Sequence, residues 1–382
     1  MEIRQFERAR TLLKTTPLVD GHNDLPWALR TFPGVDVSRA DGFGIDLTET
    51  QSQLHTDIPR LRAGGVGVQF WFVYVPCRLV GDAAVTAVVQ QCELVHSLTA
   101  KYSAHLQISR TASEARETFA SGRIASFLGA EGGHSIDSSL GILRALHRLG
   151  VRYMTLTHNE NVPWADSATD EPTVGGLSDF GREVVAEMNR IGMLVDLSHV
   201  APTTMRAALD CTTAPVIFSH SSCRAVTDHP RNVPDDVLSR LAGNGGVCMV
   251  TFVPAFVSTA VLEWDRGLKE AMADAGADHR DVDQRGDFVE SWTGPPKPKA
   301  TIEEVVAHVE HAREVAGVDH IGIGGDYDGV DAQPDGLDDV SCYPALFAAL
   351  LERGWTEKEC AKLAGENALR AMEAAEEVAR SS

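Results

Sequence analysis

Met193-Leu194-Val195-Asp196-Leu197-Ser198-His199 and Pro215-Val216-Ile217-Phe218-Ser219-His220 decide the fold. Each is a short apolar run that ends in the same Ser-His pair. Runs of this length read as strands buried on both faces, the pattern of a parallel sheet. Working outward, six more runs follow the plan: Pro17 to Asp20, Val66 to Val75, Ile124 to Ala130, Tyr153 to Thr157, Gly246 to Phe252 and His320 to Ile323. Each of the eight ends in a residue that can bind a metal or move a proton, or leads into a long polar loop. Those end residues are His22 and Asp24, Glu131, His158, His199, His220 and Asp326. Apolar residues recur at helical spacing over Ala83 to Lys101, Ser138 to Leu149 and Phe180 to Ile191, each after a strand run. Eight strands alternating with helices predict a (β/α)8 TIM barrel with metal-binding residue types at its strand ends.

The 382 residues, 43% of them hydrophobic, can bury a full core and are read as a single barrel domain over residues 1–382, with an N-terminal helix, elaborated loops and C-terminal helices. Such barrels take about 250 residues and exceed 400 when their loops grow, so the surplus fits as insertions. One insertion, residues 159–178, follows the fourth run and carries Pro163, Pro172, Gly175 and Gly176. Another, residues 254–299, follows the seventh, with a polar helical middle at Leu268 to Asp274 and a Pro-Pro-Lys-Pro exit at Pro295 to Pro298. Either is a candidate lid or subunit contact. A third excursion, Arg30 to Arg62, holds Pro33, Gly34, Gly42 and Gly44 ahead of a short helix, and is a candidate wall of the site.

Thirty-four basic against 54 acidic residues give a net charge of −20, which argues against a nucleic-acid partner and an anionic membrane surface. Met1 to Lys14 mixes charged residues with Ile3, Phe6, Leu12 and Leu13 as an amphipathic helix does, and not as a signal peptide does. No apolar stretch reaches the roughly 18 residues of a membrane helix, and the C-terminus lacks the apolar tail of a lipid-anchor signal. Seven cysteines without a C-x-x-C pair fit reduced, mostly buried thiols, so the expected location is cytoplasmic.

The chemistry gathers at the strand ends, where barrel active sites sit. His22 and Asp24 stand two apart on an extended chain, so both can face the barrel mouth. Glu131 ends an almost wholly apolar run, where a buried carboxylate needs a cation. His199 and His220 occupy the same slot on successive strands, as co-ligands do. Five candidate ligands are too many for one catalytic zinc with an open position, so two metals fit better, with Glu131 bridging and a shared hydroxide as nucleophile. Nitrogen and oxygen donors without thiolate suit zinc, with manganese or cobalt admitted by the same donor logic. Asp326, in Gly324-Gly325-Asp326-Tyr327-Asp328, is the expected proton carrier, with the glycines leaving room for substrate or metal and Asp328 read as a loop cap. His158 has no place in the ligand count and can polarise a scissile carbonyl. Arg231 can bind a carboxylate bidentately. Asp196 is a candidate partner of a ligand histidine. His55, His96, His105, His147, His308 and His311 read as surface or packing residues. Ser198 and Ser219 lack the Gly-x-Ser-x-Gly elbow of a serine hydrolase.

With those residues assembled, the chain resembles the membrane or renal dipeptidase family of zinc peptidases (peptidase family M19) from about Pro17 to Asn367. The likeness rests on Asp20-Gly21-His22-Asn23-Asp24-Leu25-Pro26-Trp27, Glu131-Gly132-Gly133-His134-Ser135, Leu156-Thr157-His158, Asp196-Leu197-Ser198-His199-Val200, Phe218-Ser219-His220-Ser221-Ser222, Arg231-Asn232-Val233-Pro234-Asp235-Asp236 and Gly324-Gly325-Asp326-Tyr327-Asp328-Gly329. It implies a binuclear zinc dipeptidase, one zinc on His22 and Asp24, the other on His199 and His220, with Glu131 bridging. It gives the proton shuttle to Asp326, the carbonyl oxygen to His158 and the substrate carboxylate to Arg231. The implied substrates are free dipeptides, L-Xaa-D-Xaa among them, and the implied assembly is a homodimer. Secreted relatives pair a cysteine matching Cys77 with one where this chain has Glu160, so that disulfide is not expected here.

Two rivals remain at this level. Another binuclear barrel hydrolase, acting on a lactone, phosphotriester or cyclic amide, usually opens with His-x-His, and Asp24 in the second slot counts against it. A barrel that has lost catalysis and serves as a scaffold would bind zinc without turnover.

Overall fold

A computed structural model describes residues 3–37, 44–277 and 282–381. Nine strands are present among them: β1 (Leu18–Asn23), β2 (Val66–Tyr74), β3 (Leu106–Ile108), β4 (Ile124–Glu131), β5 (Val151–Thr155), β6 (Leu194–Asp196), β7 (Val216–Phe218), β8 (Val247–Val250) and β9 (Ile321–Ile323). They are hydrogen-bonded in the order β2-β1-β9-β8-β7-β6-β5-β4, and β2 pairs again with β4, which closes an eight-stranded parallel ring. Helices cover its outside, so the fold is a (β/α)8 barrel. The eight predicted runs are the eight ring strands. The ninth strand, β3, was not expected. It lies beside the N-terminal half of β4, pairing Leu106 to Ile124, where β5 reaches only Leu128 and beyond.

The strands are fully buried because side chains alternate between two apolar environments. On β2, Phe70 and Phe72 point inward and pack with Phe127 and Tyr153 at ring separations of 4.9 to 5.5 Å. Trp71 and Val73 point outward into the layer formed with Val88, Leu94 and Val95 of the helix Asp82–Lys101. The predicted helices over Ser138 to Leu149 and Phe180 to Ile191 are observed as Leu140–Leu149 and Asp179–Ile191. Each starts on a capping serine and stops at a glycine with positive φ. The N-terminal helix is described from Ile3 to Thr15. Gly324 shows how closely the ring packs: a Cβ there would come 1.8 Å from the Ser219 carbonyl oxygen.

The three excursions are ordered to different extents. Residues 159–178 fold back in short antiparallel bridges around Asp166, whose carboxylate accepts the backbone N–H groups of Thr173, Val174 and Gly176. Residues 254–299 contain the helices Pro254–Val257, Thr259–Asp274 and Val282–Glu290, so the helical middle begins earlier than Leu268. The excursion after Arg30 leads into the helix Ile58–Ala63; its Gly42 lies outside the described residues. No helix among the described residues is long and apolar enough to cross a membrane.

Candidate metal centre and active site

The aromatic layer of Phe70, Phe72, Phe127 and Tyr153 fills the barrel below the C-terminal ends of the strands, and the polar residues stand directly on it. The His22 imidazole lies 3.7 Å from the Phe72 ring and 3.8 Å from the His220 ring. Its Nε2 is 2.8 Å from Asp24 Oδ2 and 3.5 Å from Asp326 Oδ1. Across the mouth, Glu131 ends β4 with Oε1 3.1 Å from His199 Nε2, 3.7 Å from His220 Nε2 and 3.8 Å from His158 Nε2. All seven predicted strand-end residues therefore meet in one place.

The local sequence explains how they are presented. Asp20 Oδ1 accepts the N–H groups of His22 and Gly325, which ties the end of β1 to that of β9. Asp196 Oδ1 repeats this across the barrel, accepting the N–H groups of Ser198 and Ser219. Asp196 thus grips the backbones that lead into His199 and His220, and not an imidazole as its position had suggested. Ser219 Oγ lies 2.7 Å from His220 Nδ1, and Ser198 Oγ accepts the His220 N–H. These two serines position histidines, which is the reason for a hydroxyl there without a nucleophile elbow. His199 and Asp326 hold left-handed backbone, with φ of 70° and 60°, costly for residues with a Cβ and held here by surrounding structure. The insertion 159–178 supplies part of that hold: Ser167 Oγ donates to the His158 carbonyl at 2.6 Å, and the Ala168 N–H donates to the His199 carbonyl at 2.7 Å.

Arg231 is 2% exposed. Its guanidinium packs 5.3 Å from the centre of the Phe256 ring, one nitrogen reaches the His220 carbonyl at 3.5 Å, and Nη1 has no partner. Phe256 belongs to the start of the 254–299 insertion. The glycines before Asp326 do not leave the open space expected of them, since added Cβ atoms would meet Ser219 at Gly324, and Tyr327 and Tyr343 at Gly325. The room is made by Gly329, where a Cβ would come 2.2 Å from Asp326 Oδ1 and 2.4 Å from Asp24 Oδ2. Asp328 caps the neighbouring loop through the His55 N–H, as read from the sequence.

Five carboxyl groups, those of Asp20, Asp24, Glu131, Asp196 and Asp326, are buried at these strand ends, and the Arg231 guanidinium is felt by three of them, Asp326, Glu131 and Asp196. Burial pushes all five pKa values up, Asp24 to about 7 and Asp326 to about 6. Burial likewise lowers those of His22, His158, His199 and His220, so their rings are neutral donors of a lone pair or an N–H. Such a site calls for cations. Three groups of side chains can each place their ligand atoms within 4.8 Å of one another: His22, Asp24 and Glu131; Glu131, His199 and His220; His22, His220 and Asp326. The donor set is neutral imidazole plus carboxylate, which fits zinc. The sequence analysis gave no role in the site to Asp20, to Gly329 or to Cys77, whose Sγ lies 3.2 Å from His158 Nδ1. Asp20 alone had a legible signal, as the first acidic residue in a strand otherwise closed to solvent.

Comparison with known proteins gives a consistent picture. A family profile for membrane dipeptidase (peptidase family M19) matches residues 6–382. Dipeptidase verJ of Clonostachys rogersoniana is 42% identical, with the match covering 98% of this chain and 88% of that protein. Among solved structures, the probable dipeptidase PvdM from Pseudomonas aeruginosa superposes with a TM-score of 0.84 at 20% identity, covering 99% of this chain and 100% of that one. A metallo peptidase from Rhodobacter sphaeroides, liganded with a phosphinate mimic of the dipeptide L-Ala-D-Ala, superposes with a TM-score of 0.75 at 24% identity, over 94% of this chain and 99% of that one. Both structural likenesses concern the barrel fold.

Proposed function

The chain belongs to the membrane dipeptidase family, peptidase family M19, and is a metal-dependent dipeptidase; from that premise we propose that it works with two zinc ions on free dipeptides, including L-Xaa-D-Xaa. The observation that carries the metal count is the place of Glu131, whose carboxylate belongs both to the group with His22 and Asp24 and to the group with His199 and His220. In this reading Glu131 bridges, His22 and Asp24 hold one ion, and His199 and His220 hold the other. Bound there, two zinc ions would supply the positive charge that makes water a hydroxide nucleophile near neutral pH and that meets the free amino end of the substrate.

The chain's own groups carry the rest of the reaction. Arg231, with an unpartnered nitrogen in a buried setting, binds the substrate carboxylate through charge-assisted hydrogen bonds. That contact selects the peptide bond next to the C-terminal residue, and the demand for a free amino end on the other side then limits the substrate to a dipeptide. His158 donates from Nε2 to the carbonyl oxygen as charge builds on it during attack. Asp326, with a pKa raised to about 6, takes the proton released when water adds to the carbonyl carbon and delivers it to the amine nitrogen as the C–N bond breaks. The L-D arm of the substrate range rests on the mimic bound by the Rhodobacter sphaeroides protein.

We also read residues 1–382 as one domain of a cytoplasmic homodimer. The seven unpaired cysteines support a reducing compartment, the dimer rests on the habit of the family, and sedimentation velocity tests it.

Release of free amino acids by the zinc-loaded protein from a panel of L-L and L-D dipeptides, each beside its N-acetylated and C-amidated forms, tests the activity. Cleavage confined to the free dipeptides is expected. Turnover of the blocked forms, or none on any peptide with metal bound, would move the assignment to a lactone or cyclic amide hydrolase.

A further inference from the structure

Beyond β2 the chain runs through Val75 and Pro76 to Cys77, which is half-buried and unpaired. Its sulfur lies 3.2 Å from His158 Nδ1. The opposite nitrogen of the same ring, Nε2, faces into the site, 3.8 Å from Glu131 Oε1. The ring between them packs against His199, at 4.4 Å between centroids, and Tyr74, at 5.1 Å, both at a tilt. His158 is thus fixed in place by packing, while its proton can sit on either nitrogen, and the group hydrogen-bonded to one nitrogen decides the state of the other.

We propose that Cys77 is a positioning residue for the peptidase reaction: its thiol donates a hydrogen bond to His158 Nδ1 and thereby holds the tautomer that carries the proton on Nε2, directed at the reacting carbonyl. This inference rests on the reading above in which His158 acts on the carbonyl oxygen. The opposite arrangement, with Nδ1–H donating to sulfur, would leave the Nε2 lone pair facing the Glu131 carboxylate and would have no proton to offer the oxyanion. The thiol is suited to remain the donor. Burial pushes its pKa up to about 11, against the weaker opposing pull of the Glu160 and Asn159 backbone N–H groups. The thiol hydrogen is thus retained and available to Nδ1. No electron transfer is involved, and the thiol keeps its proton throughout.

The test uses the zinc-loaded full chain and the variants Cys77→Ala, Cys77→Ser and His158→Gln, with a dipeptide the wild type cleaves. For Cys77→Ala the expected outcome is a kcat about tenfold to 100-fold lower, the usual scale for losing a group that orients an active-site residue, with KM and zinc content unchanged. Cys77→Ser, which restores an O–H donor, should recover most of that loss. Independently of turnover, 15N spectra of histidine-labelled protein should show His158 as the Nε2–H form in the wild type and a shift toward the other tautomer in Cys77→Ala. Equal activity in Cys77→Ala and wild type, or equal losses in the Ala and Ser variants with lowered thermal stability, would overturn the proposal in favour of packing alone. His158→Gln separates the layers. If it is crippled while Cys77→Ala is not, only the thiol's role fails; if it turns over normally, the role given to His158 fails, and this inference with it.

Discussion

His199 Nε2 and His220 Nε2 face each other at 2.9 Å, although they come from the ends of different strands. Two neutral imidazoles can approach so closely only with one N–H pointing at the other's lone pair, or with both lone pairs turned to a shared cation. With the His220 Nδ1–H donating to the Ser219 hydroxyl oxygen, the His220 Nε2 lone pair is turned to the space beside Glu131 Oε1, which lies 3.1 Å from His199 Nε2, and that is the second arrangement.

His220→Ala should therefore lower bound zinc from two ions per chain to about one, and Glu131→Ala should weaken both sites. Elemental analysis after dialysis against trace zinc reads the result directly. Two zincs retained in His220→Ala would dissolve the proposed division of ligands.

Asp326 is placed so that it could be either a proton carrier or a ligand, since it also shares a group with His22 and His220. As a carrier, Asp326→Asn should cut kcat by roughly 100-fold to 10,000-fold while both metals stay bound. Loss of one zinc together with the activity would make it a ligand instead.

Arg231→Ala removes a buried guanidinium from the site. KM for free dipeptides should rise by about tenfold or more, the scale of a charge-assisted hydrogen bond, with a smaller change in kcat. An unchanged KM, in a variant whose circular dichroism melt is intact, would place the substrate carboxylate elsewhere.

Burial raises the pKa of Glu131 above its ordinary 4.5, with Asp24 and Asp326 adding to the effect. In metal-free protein the folded state then keeps a proton that the unfolded chain gives up. The stability this group contributes is complete below pH 4.5 and is lost as pH rises through the raised value. Glu131→Gln has no such loss, so metal-free Glu131→Gln should melt at nearly the wild-type temperature at low pH and above it at about pH 8. Added zinc should reverse the order, because the wild type binds it more tightly. A difference between the two metal-free melts that stays constant across pH would mean that Glu131 is ionised in the fold.

The ring strands were legible because both their faces are buried, so each appears as an uninterrupted apolar run. Leu106–Ile108 escaped notice because three residues, beside only half of β4, leave no such run. The candidate ligands could be picked out because strand ends point one way in this architecture, and the structure brings them together. What could not be read were relations across long stretches of chain. Asp196 reaching the Ser219 N–H, Ser167 supporting the His158 and His199 carbonyls, and Cys77 meeting His158 are set by folded geometry alone. The glycines before Asp326 misled because closeness to a neighbouring strand and room for a ligand leave the same mark in a sequence. The insertion 159–178, open between lid and subunit contact, proves at least to be a brace for two histidine backbones.

The seam between β1 and β9 joins residues far apart in the chain: Gly325 N–H reaches Asp20 across 305 positions, and Asp20 pairs with Ile323. A ribosome delivers His22, Asp24, Glu131, His199 and His220 well before it delivers the strand that shuts the ring. Until that strand arrives the ring cannot close, so any sheet formed from the earlier strands would keep two unpaired edges. Premature termination after β8 would remove the closing strand and Asp326 together, so the expected product is an aggregation-prone fragment and not a weakened enzyme.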